Sequence, residues 1–194
     1  MEPLLDLTKE YGIVLDGGGA RGAYQIGAWK ALKEAGMKIN AVAGTSVGAL
    51  NGALICMDDV EMAEKIWSEM TFSKVMDVDD TWMEDLFSGK GKFADVLAEI
   101  WKTLSDGGVD VTPLRELIHS VIDEEKIRNS GKEFCLLTFS VTDMKELDLS
   151  IEDIPDGMLE DFLLASAYLV GFKNEKLHGK RYIDGGVVNN VPLN

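Results

Sequence analysis

The amino-acid sequence predicts a layered α/β fold with a mostly parallel central sheet flanked by helices. Near the N-terminus, an apolar strand pattern, a glycine-rich turn and a helix pattern follow one another twice in tandem. This order is typical of domains in which helices cover the faces of a parallel sheet. The 194 residues contain no internal repeat and no low-complexity linker, so we expect a single domain over residues 1–194.

The two tandem units have the same layout. The first starts with a short apolar strand over 11–16, which runs into a glycine-rich turn over 17–22 and then into an amphipathic helix. In the second, a buried strand over 39–43 leads through a glycine turn over 44–48 into an apolar helix. We therefore expect both glycine turns to lie between a strand and the N-terminus of a helix.

Capping residues predict where several helices begin and end. Gly36 is the expected C-cap of the first helix, and Asp58 the expected start of a third helix. Thr112 followed by Pro113 predicts the N-cap and first residue of a helix that ends near Ile122.

The second half of the chain contains further strands and helices. Strands are predicted over 133–142, 147–151 and 181–183, and a helix over 157–168. Residues 93–104 place apolar side chains on one helical face, which favours core packing and leaves a lid or lipid-contact surface as the alternative.

The charge of the chain excludes several classes of partner. It has 19 Lys and Arg residues against 34 Asp and Glu residues, a formal net charge of −15. Because no Lys/Arg block is present, we expect no nucleic-acid binding and no electrostatic attraction to anionic membranes.

The cysteines and the possible metal-ligating residues indicate neither a redox site nor a metal site. Cys56 and Cys135 lie in apolar runs, which predicts buried free thiols and a reducing compartment. With His119 and His178 they lack the close spacing of zinc motifs, and the acidic stretch at Asp77 lacks the turn glycine of a calcium loop. We expect no metal site.

The N-terminal residues lack the apolar, basic-flanked pattern of a signal peptide. The longest near-apolar stretch, over 162–172, is shorter than the roughly 20 residues of a membrane-spanning helix. The expectation is a soluble, cytoplasmic protein.

The second glycine turn matches the G-x-S-x-G pattern of a nucleophile elbow. Its residues are Gly44, Thr45, Ser46, Val47 and Gly48. Such a serine adopts a strained backbone on a tight strand-to-helix turn, and the flanking glycines let neighbouring chain pass without Cβ clashes. The following helix directs its N-terminal dipole at the serine. The alternative is a turn in which Ser46 only caps its helix.

The first glycine turn has two interpretations. Its residues Gly17, Gly18, Gly19, Ala20, Arg21 and Gly22 also match the G-x-G-x-x-G dinucleotide fingerprint. That fingerprint expects an acidic residue at the end of the second strand, where this chain has the Ser46 turn. The backbone N–H groups of such a loop can instead bind an oxyanion, with Arg21 ordering the loop or neutralising an anionic group.

A serine nucleophile needs a base, and the histidines are weak candidates. His119 lies in a predicted helix, and His178 in a polar segment before the last strand. Asp184 ends that strand before Gly185 and Gly186, and partial burial would raise its pKa towards a working value. An ordinary Asp-Gly turn is the alternative for Asp184.

Together, the glycine turn over 17–22, the serine turn over 44–48 and the Asp184-Gly185-Gly186 turn resemble the three ordered signatures of patatin-like phospholipases, over residues 11–192. The resemblance implies a three-layer patatin-like fold and a lipid acyl hydrolase of the phospholipase A or lysophospholipase type. It implies a dyad in which Ser46 is the nucleophile and Asp184 its base. It also implies an oxyanion hole in the 17–22 loop, no cofactor and no metal.

Two departures from the family pattern stand out. The segment after the Ala-Ser-Ala stretch at 165–167 has no proline, which bears on the shape of the acyl pocket. Ten residues follow Asp184, which leads us to expect a C-terminally truncated domain or an unusually short one.

The expected partner is a lipid or acyl-ester substrate, with transient membrane-surface contact. The alternative function is a non-catalytic or nucleotide- or phosphate-binding α/β module that uses the glycine-rich loop, or a triad hydrolase using His178.

Overall fold

The computed structural model describes residues 6–77, 80, 107–169, 171–173 and 175–193. Within these ranges, strands β1 to β5 form one sheet flanked by helices, and β1, β2 and β3 run parallel. The predicted fold class is therefore confirmed. The strands are β1 (Glu10–Leu15), β2 (Lys38–Thr45), β3 (Glu133–Ser140), β4 (Lys145–Ser150) and β5 (Tyr182–Asp184).

In the described residues the helices follow the predicted order, with one short helix, Glu124–Arg128, that was not predicted. They are α1 (Gly22–Glu34), α2 (Val47–Met57), α3 (Val60–Ser68), α4 (Thr112–Val121), α5 (Glu124–Arg128) and α6 (Leu159–Ser166). Short 3-10 turns lie at Gly19–Arg21, Phe72–Lys74 and Gly185–Val187.

Helix α2 lies at the centre of the core. Ten of its eleven residues are buried, and it contacts β2, β3, α1 and α3. A helix that is apolar on every side is stable only where other elements cover all of its faces. This explains why an apolar helix directly follows the Ser46 turn, and it attaches that turn to the buried core.

The register of β3 brings the ends of β2 and β5 together. β4 pairs with residues 135–140 of β3, so β2 and β5 share the opposite edge of that strand. On that edge Leu137 pairs with Thr45, and the next residue, Thr138, pairs with Asp184. β2 is parallel and β5 antiparallel to β3, so their carboxyl ends meet at this point.

Two N-cap predictions are wrong by one position. Thr112 is the first helical residue of α4, and the carboxylate of Asp110 accepts its N–H at 2.8 Å. Asp59, not Asp58, caps α3 by accepting the Met62 N–H at 3.0 Å. In both cases a neighbouring carboxylate satisfies the free N–H groups of the helix N-terminus.

Strand and helix limits shift by a few residues from the predicted ones, and the predicted helical face over 93–104 lies outside the described residues. Ala35, and not the predicted Gly36, is the C-cap of α1, and Gly36 follows it with a φ of +83°. Among the described residues, no helix is both long enough and apolar enough to cross a membrane.

Candidate active site

Ser46 lies on the turn between β2 and α2 in a backbone conformation that L-residues rarely adopt. Its φ is 57° and its ψ is −127°. Because β2 ends at Thr45 and α2 begins at Val47, this single residue makes the reversal from strand to helix. The N-terminal dipole of α2 is therefore directed at Ser46.

Two glycines make room for this turn. A Cβ on Gly44 would run into the carbonyl of Gly48 and lie 2.6 Å from the nitrogen of Ala49. A Cβ on Gly48 would run into the carbonyl of Leu15 and lie 2.7 Å from that of Asp16. Both distances are below van der Waals contact, so the turn and the end of β1 touch through bare backbone.

Asp184 is a buried carboxyl at the end of β5. It is 3% exposed, and its Oδ1 accepts the N–H of Gly186 at 2.7 Å. Burial raises the pKa of this carboxyl above its ordinary value, while hydrogen bonds from the Ser46 side chain and the Gly186 backbone oppose that rise. The carboxyl is therefore a stronger base than an exposed aspartate, and the Ser46 side chain of the elbow is one of the groups that act on its pKa.

The first glycine turn faces Ser46. A Cβ on Gly17 would lie 3.2 Å from the Cβ of Ser46 and 2.6 Å from Oδ1 of Asn190. Asn190 joins this turn to the segment after Asp184: its carbonyl accepts the Gly17 N–H, and its Nδ2 donates to the Gly17 carbonyl, both at 3.3 Å. The three sequence signatures thus meet around one serine.

The next residues of the turn border the space in front of Ser46. Gly19 has a φ of +55°, and Gly19 and Ala20 line the same cavity as Ser46. Within the described part of the chain, the N–H groups of Gly18 and Gly19 donate to no protein acceptor. These two amides are available to a ligand in the cavity.

Arg21 and Gly22 hold the turn in place. The N–H of Arg21 donates to the Gly18 carbonyl at 3.2 Å, and the side chain of Arg21 lies beside Gly18. A Cβ on Gly22 would lie 2.6 Å from both Val47 and Trp67, so α1 packs closely against the elbow and α3. The backbone and the side chain of Arg21 thus both contact Gly18 of the turn.

A buried amide network supports this loop, and the sequence analysis missed it. Asn51 of α2 accepts the indole N–H of Trp67 at 2.9 Å and donates to the carbonyl of Gly22 at 2.9 Å. It also donates to Gln25 at 2.8 Å, which in turn donates to the carbonyl of Asp16 at 2.8 Å. The signal was present, because Asn51 is the only amide side chain in an otherwise apolar α2.

A cavity of about 500 Å³ opens beside Ser46. Its wall is mostly apolar and comes from α2, α3, α4 and the segments after α3 and α6. The side chains on the α2 wall are Val47, Leu50, Asn51 and Leu54, and those on the α4 wall are Leu114, Leu117, Ile118 and Val121. A volume and polarity of this kind suit a small apolar ligand or one chain of a lipid.

Both histidines are paired with other residues. His119 is exposed, and its Nδ1 lies 3.0 Å from Glu160. Nε2 of His178 lies 2.8 Å from Asp161 on an exposed turn. In the described hydrogen bonds, neither histidine contacts Ser46, which leaves the triad alternative without a structural basis.

No cluster of three or more His, Cys, Asp or Glu side chains that could hold a metal ion occurs among the described residues. In the acidic stretch after Asp77, Asp80 accepts the backbone N–H and the hydroxyl of Ser73 at 2.9 and 2.6 Å. Asp79 lies outside the described residues.

The site combines a serine on a strained strand-to-helix turn, a buried carboxyl next to it and a glycine loop. This combination is typical of α/β serine hydrolases. A comparison with known families narrows this class. The family model for patatin-like phospholipases matches residues 13–194, so the chain belongs to the patatin-like phospholipase family. The resemblance drawn from the three turns is confirmed.

Curated relatives share this domain. The chain is 34% identical over 191 residues to neuropathy target esterase sws of Drosophila grimshawi, and 28% identical over 183 residues to patatin-like phospholipase domain-containing protein 7 of Rattus norvegicus. Each match covers 93% of this chain but only 11% and 12% of the relative. The chain therefore spans about a tenth of the length of these relatives.

A solved structure shows the same fold. The crystal structure of VipD from Legionella pneumophila superposes with a TM-score of 0.59 at 17% sequence identity. The match covers 93% of this chain and 46% of that chain.

Proposed function

We propose that this domain is a lipid acyl hydrolase of the phospholipase A or lysophospholipase type. The observation that carries the proposal is the buried Asp184 carboxyl, whose pKa the Ser46 side chain lowers, together with the apolar cavity that Ser46 lines. Family membership and relatives named as an esterase and a phospholipase-domain protein point to the same chemistry.

In the proposed reaction, Ser46 is the nucleophile and Asp184 its base. Oγ of Ser46 attacks the ester carbonyl carbon as its proton passes to Asp184. The tetrahedral intermediate collapses, the bond to the alcohol oxygen breaks, and Asp184 returns the proton to that oxygen. Water then attacks the acyl-enzyme with Asp184 again taking the proton, and the fatty acid leaves as Ser46 is reprotonated.

The glycine turn supplies the oxyanion hole in this proposal. The N–H of Gly17 is already used by Asn190, that of Arg21 by Gly18, and that of Gly22 by carbonyls of the turn, which leaves the amides of Gly18, Gly19 and Ala20 as the proposed donors. Preorganised donors of this kind stabilise the developing negative charge, and each is typically worth about a hundredfold to a thousandfold in rate.

The apolar cavity is the proposed site of the fatty acyl chain. Ser46 lies in its wall, so an ester carbonyl beside Ser46 places the acyl chain along the apolar face of α2. Burying methylene groups there stabilises the complex by roughly 0.8 kcal/mol each. The alcohol part of the ester, with any headgroup, lies on the side of the glycine turn.

The segment after Asp184 supports a transient contact with a lipid surface. Residues 185–193 have no charged side chain, and Val187, Val188, Val191 and Leu193 are exposed. With a net charge of −15, such a contact depends on apolar insertion into a zwitterionic surface. Flotation with phosphatidylcholine vesicles is expected to capture the protein, and Val187→Ser with Val188→Ser to reduce capture. Equal capture of both proteins contradicts this contact.

The test of the function is ester hydrolysis by three proteins: wild type, Ser46→Ala and Asp184→Asn. Phospholipids, lysophospholipids and glycerides are supplied in parallel, and released fatty acid is measured. Wild type is expected to hydrolyse at least one class, and both variants to lose at least a hundredfold in kcat. Folded wild type that hydrolyses none of them, but is stabilised against heat by a nucleotide, would favour the phosphate-binding alternative.

A further inference from the structure

The C-terminal end of α6 contacts both halves of the proposed dyad. Oγ of Ser166 accepts the N–H of Ser46 at 2.9 Å and donates to the carbonyl of Leu137 at 2.6 Å. Two residues further, the carbonyl of Tyr168 accepts the N–H of Asp184 at 2.7 Å. A segment of three residues therefore binds the backbone of the serine and of the carboxyl.

The Ser46 amide depends on this contact. The β2 ladder ends at Thr45, which pairs with Leu137, so the strand offers the next N–H no backbone acceptor. Ser46 is 9% exposed, and a buried N–H without a partner is costly. The fully buried hydroxyl of Ser166 satisfies that N–H and is itself anchored to β3.

A second hydroxyl holds the same segment against β5. Oγ1 of Thr138 lies 3.0 Å from the carbonyl of Ala165 and 3.1 Å from that of Ile183. Thr138 is also the β3 residue that pairs with Asp184. The end of α6 is thus fixed to the strand that carries the carboxyl, while Ser166 reaches the elbow.

We propose that Ser166 is a positioning residue that sets the strained Ser46 elbow against Asp184. This inference rests on the proposed function, because it assigns how the dyad is aligned. Ser166 does not line the cavity, so it has no part in holding the acyl chain. Its effect is on the alignment of reacting groups, where a misplacement of about 1 Å can cost about a hundredfold in rate.

Ser166→Ala is the test, and Ser140→Ala is the matched control. Ser140 is also fully buried on β3, donates to Asp143 at 2.9 Å and accepts an N–H from the same residue at 3.1 Å. The two substitutions therefore remove the same kind of donor and acceptor. For each folded variant, kcat and KM for an ester substrate, the rate of fluorophosphonate labelling of Ser46, and amide hydrogen exchange at Ser46 are measured.

Ser166→Ala is expected to lower kcat and the labelling rate by about 10- to 100-fold, with KM within twofold, and to speed exchange at the Ser46 amide. Ser140→Ala is expected to stay within twofold of wild type. Ser166→Cys keeps the shape of the side chain with a somewhat larger atom that is a weak acceptor, and its kcat and labelling rate are expected to fall between those of Ser166→Ala and Ser140→Ala. If Ser166→Ala does not fold, the kcat and labelling rate of Ser166→Cys test the positioning role.

Folded Ser166→Ala or Ser166→Cys that labels at the wild-type rate overturns the positioning role while leaving the proposed function in place. Equal losses in Ser166→Ala and Ser140→Ala also overturn it, since they indicate general loss of packing. Wild type that is not labelled at Ser46 contradicts the proposed function itself.

Discussion

Gly48→Ala is a one-methyl change that should separate the nucleophile from the oxyanion loop. The new Cβ would collide with the carbonyl of Leu15 and lie 2.7 Å from that of Asp16, both of them backbone atoms. To reach an ordinary contact of 3.4 Å, the start of α2 or the end of β1 must retreat by at least about 0.7 Å from the Asp16 carbonyl, and by more from the closer Leu15 carbonyl. Because Asp16 immediately precedes Gly17, this shift widens the gap between Ser46 and the glycine turn.

The size of the effect follows from that displacement. A shift approaching 1 Å in the reacting geometry costs up to about a hundredfold, so we expect fluorophosphonate labelling of Gly48→Ala to slow by about 10- to 100-fold. Overpacking of this kind also costs about 1–3 kcal/mol of unfolding free energy, measured by urea denaturation.

Gly27→Ala is the control for this experiment. Gly27 is an exposed helical residue of α1, and an added Cβ would meet nothing within 4 Å. This variant should gain about 0.5–1 kcal/mol of stability through helix propensity and label at the wild-type rate. Labelling of Gly48→Ala at the wild-type rate, with unchanged stability, would refute the steric account of the elbow.

Three further predictions concern the carboxyl and the cavity. Burial raises the folded-state pKa of Asp184, so the folded protein binds this proton more tightly than the unfolded chain does. The contribution of the protonated carboxyl to the free energy of unfolding is therefore complete below the unfolded pKa and is lost as the pH rises through the folded pKa. Asp184→Asn should therefore raise Tm at pH 7, with a gain that shrinks near pH 4; a constant or negative change contradicts this. Acylation of Ser46 by wild type should fall as pH is lowered through that raised pKa, whereas a flat profile from pH 8 to 4 argues against Asp184 as base. Leu54 lies eight residues beyond Ser46 along α2, a distance of about 12 Å. An extended acyl chain of roughly ten carbons has this length. Leu54→Ala should raise kcat/KM for longer nitrophenyl esters by about fourfold per added methylene, while Ile55→Ala, buried but outside the cavity wall, should leave the chain-length profile unchanged. The same profile in both variants would contradict this placement of the acyl chain.

The local order of strand, glycine turn and helix was predictable from the sequence. The turns over 17–22 and 44–48 are encoded by neighbouring residues, because glycine spacing and apolar runs act within a few positions. The cap at Thr112 was not predicted correctly, because Asp110 accepts the Thr112 N–H and Thr112 is the first helical residue instead of the N-cap. Where several capping residues lie close together, the exact backbone geometry decides at which residue the helix begins.

The assembly of the site depends on contacts that sequence spacing does not encode. Asp184 meets Ser46 because adjacent residues of β3 pair with β2 and with β5, a register set by long-range packing. Ser166 was visible only as part of a small-residue stretch, and its contact with the Ser46 amide arises from the way α6 docks on β3. The cavity likewise requires helices from distant parts of the chain to face one another.

The most direct test of the dyad is covalent labelling with a fluorophosphonate, with the adduct located by mass spectrometry. A single adduct on Ser46 is predicted in wild type, no adduct in Ser46→Ala, and labelling slowed at least a hundredfold in Asp184→Asn. Folded wild type without an adduct on Ser46, or Asp184→Asn labelled at the wild-type rate, would contradict the account.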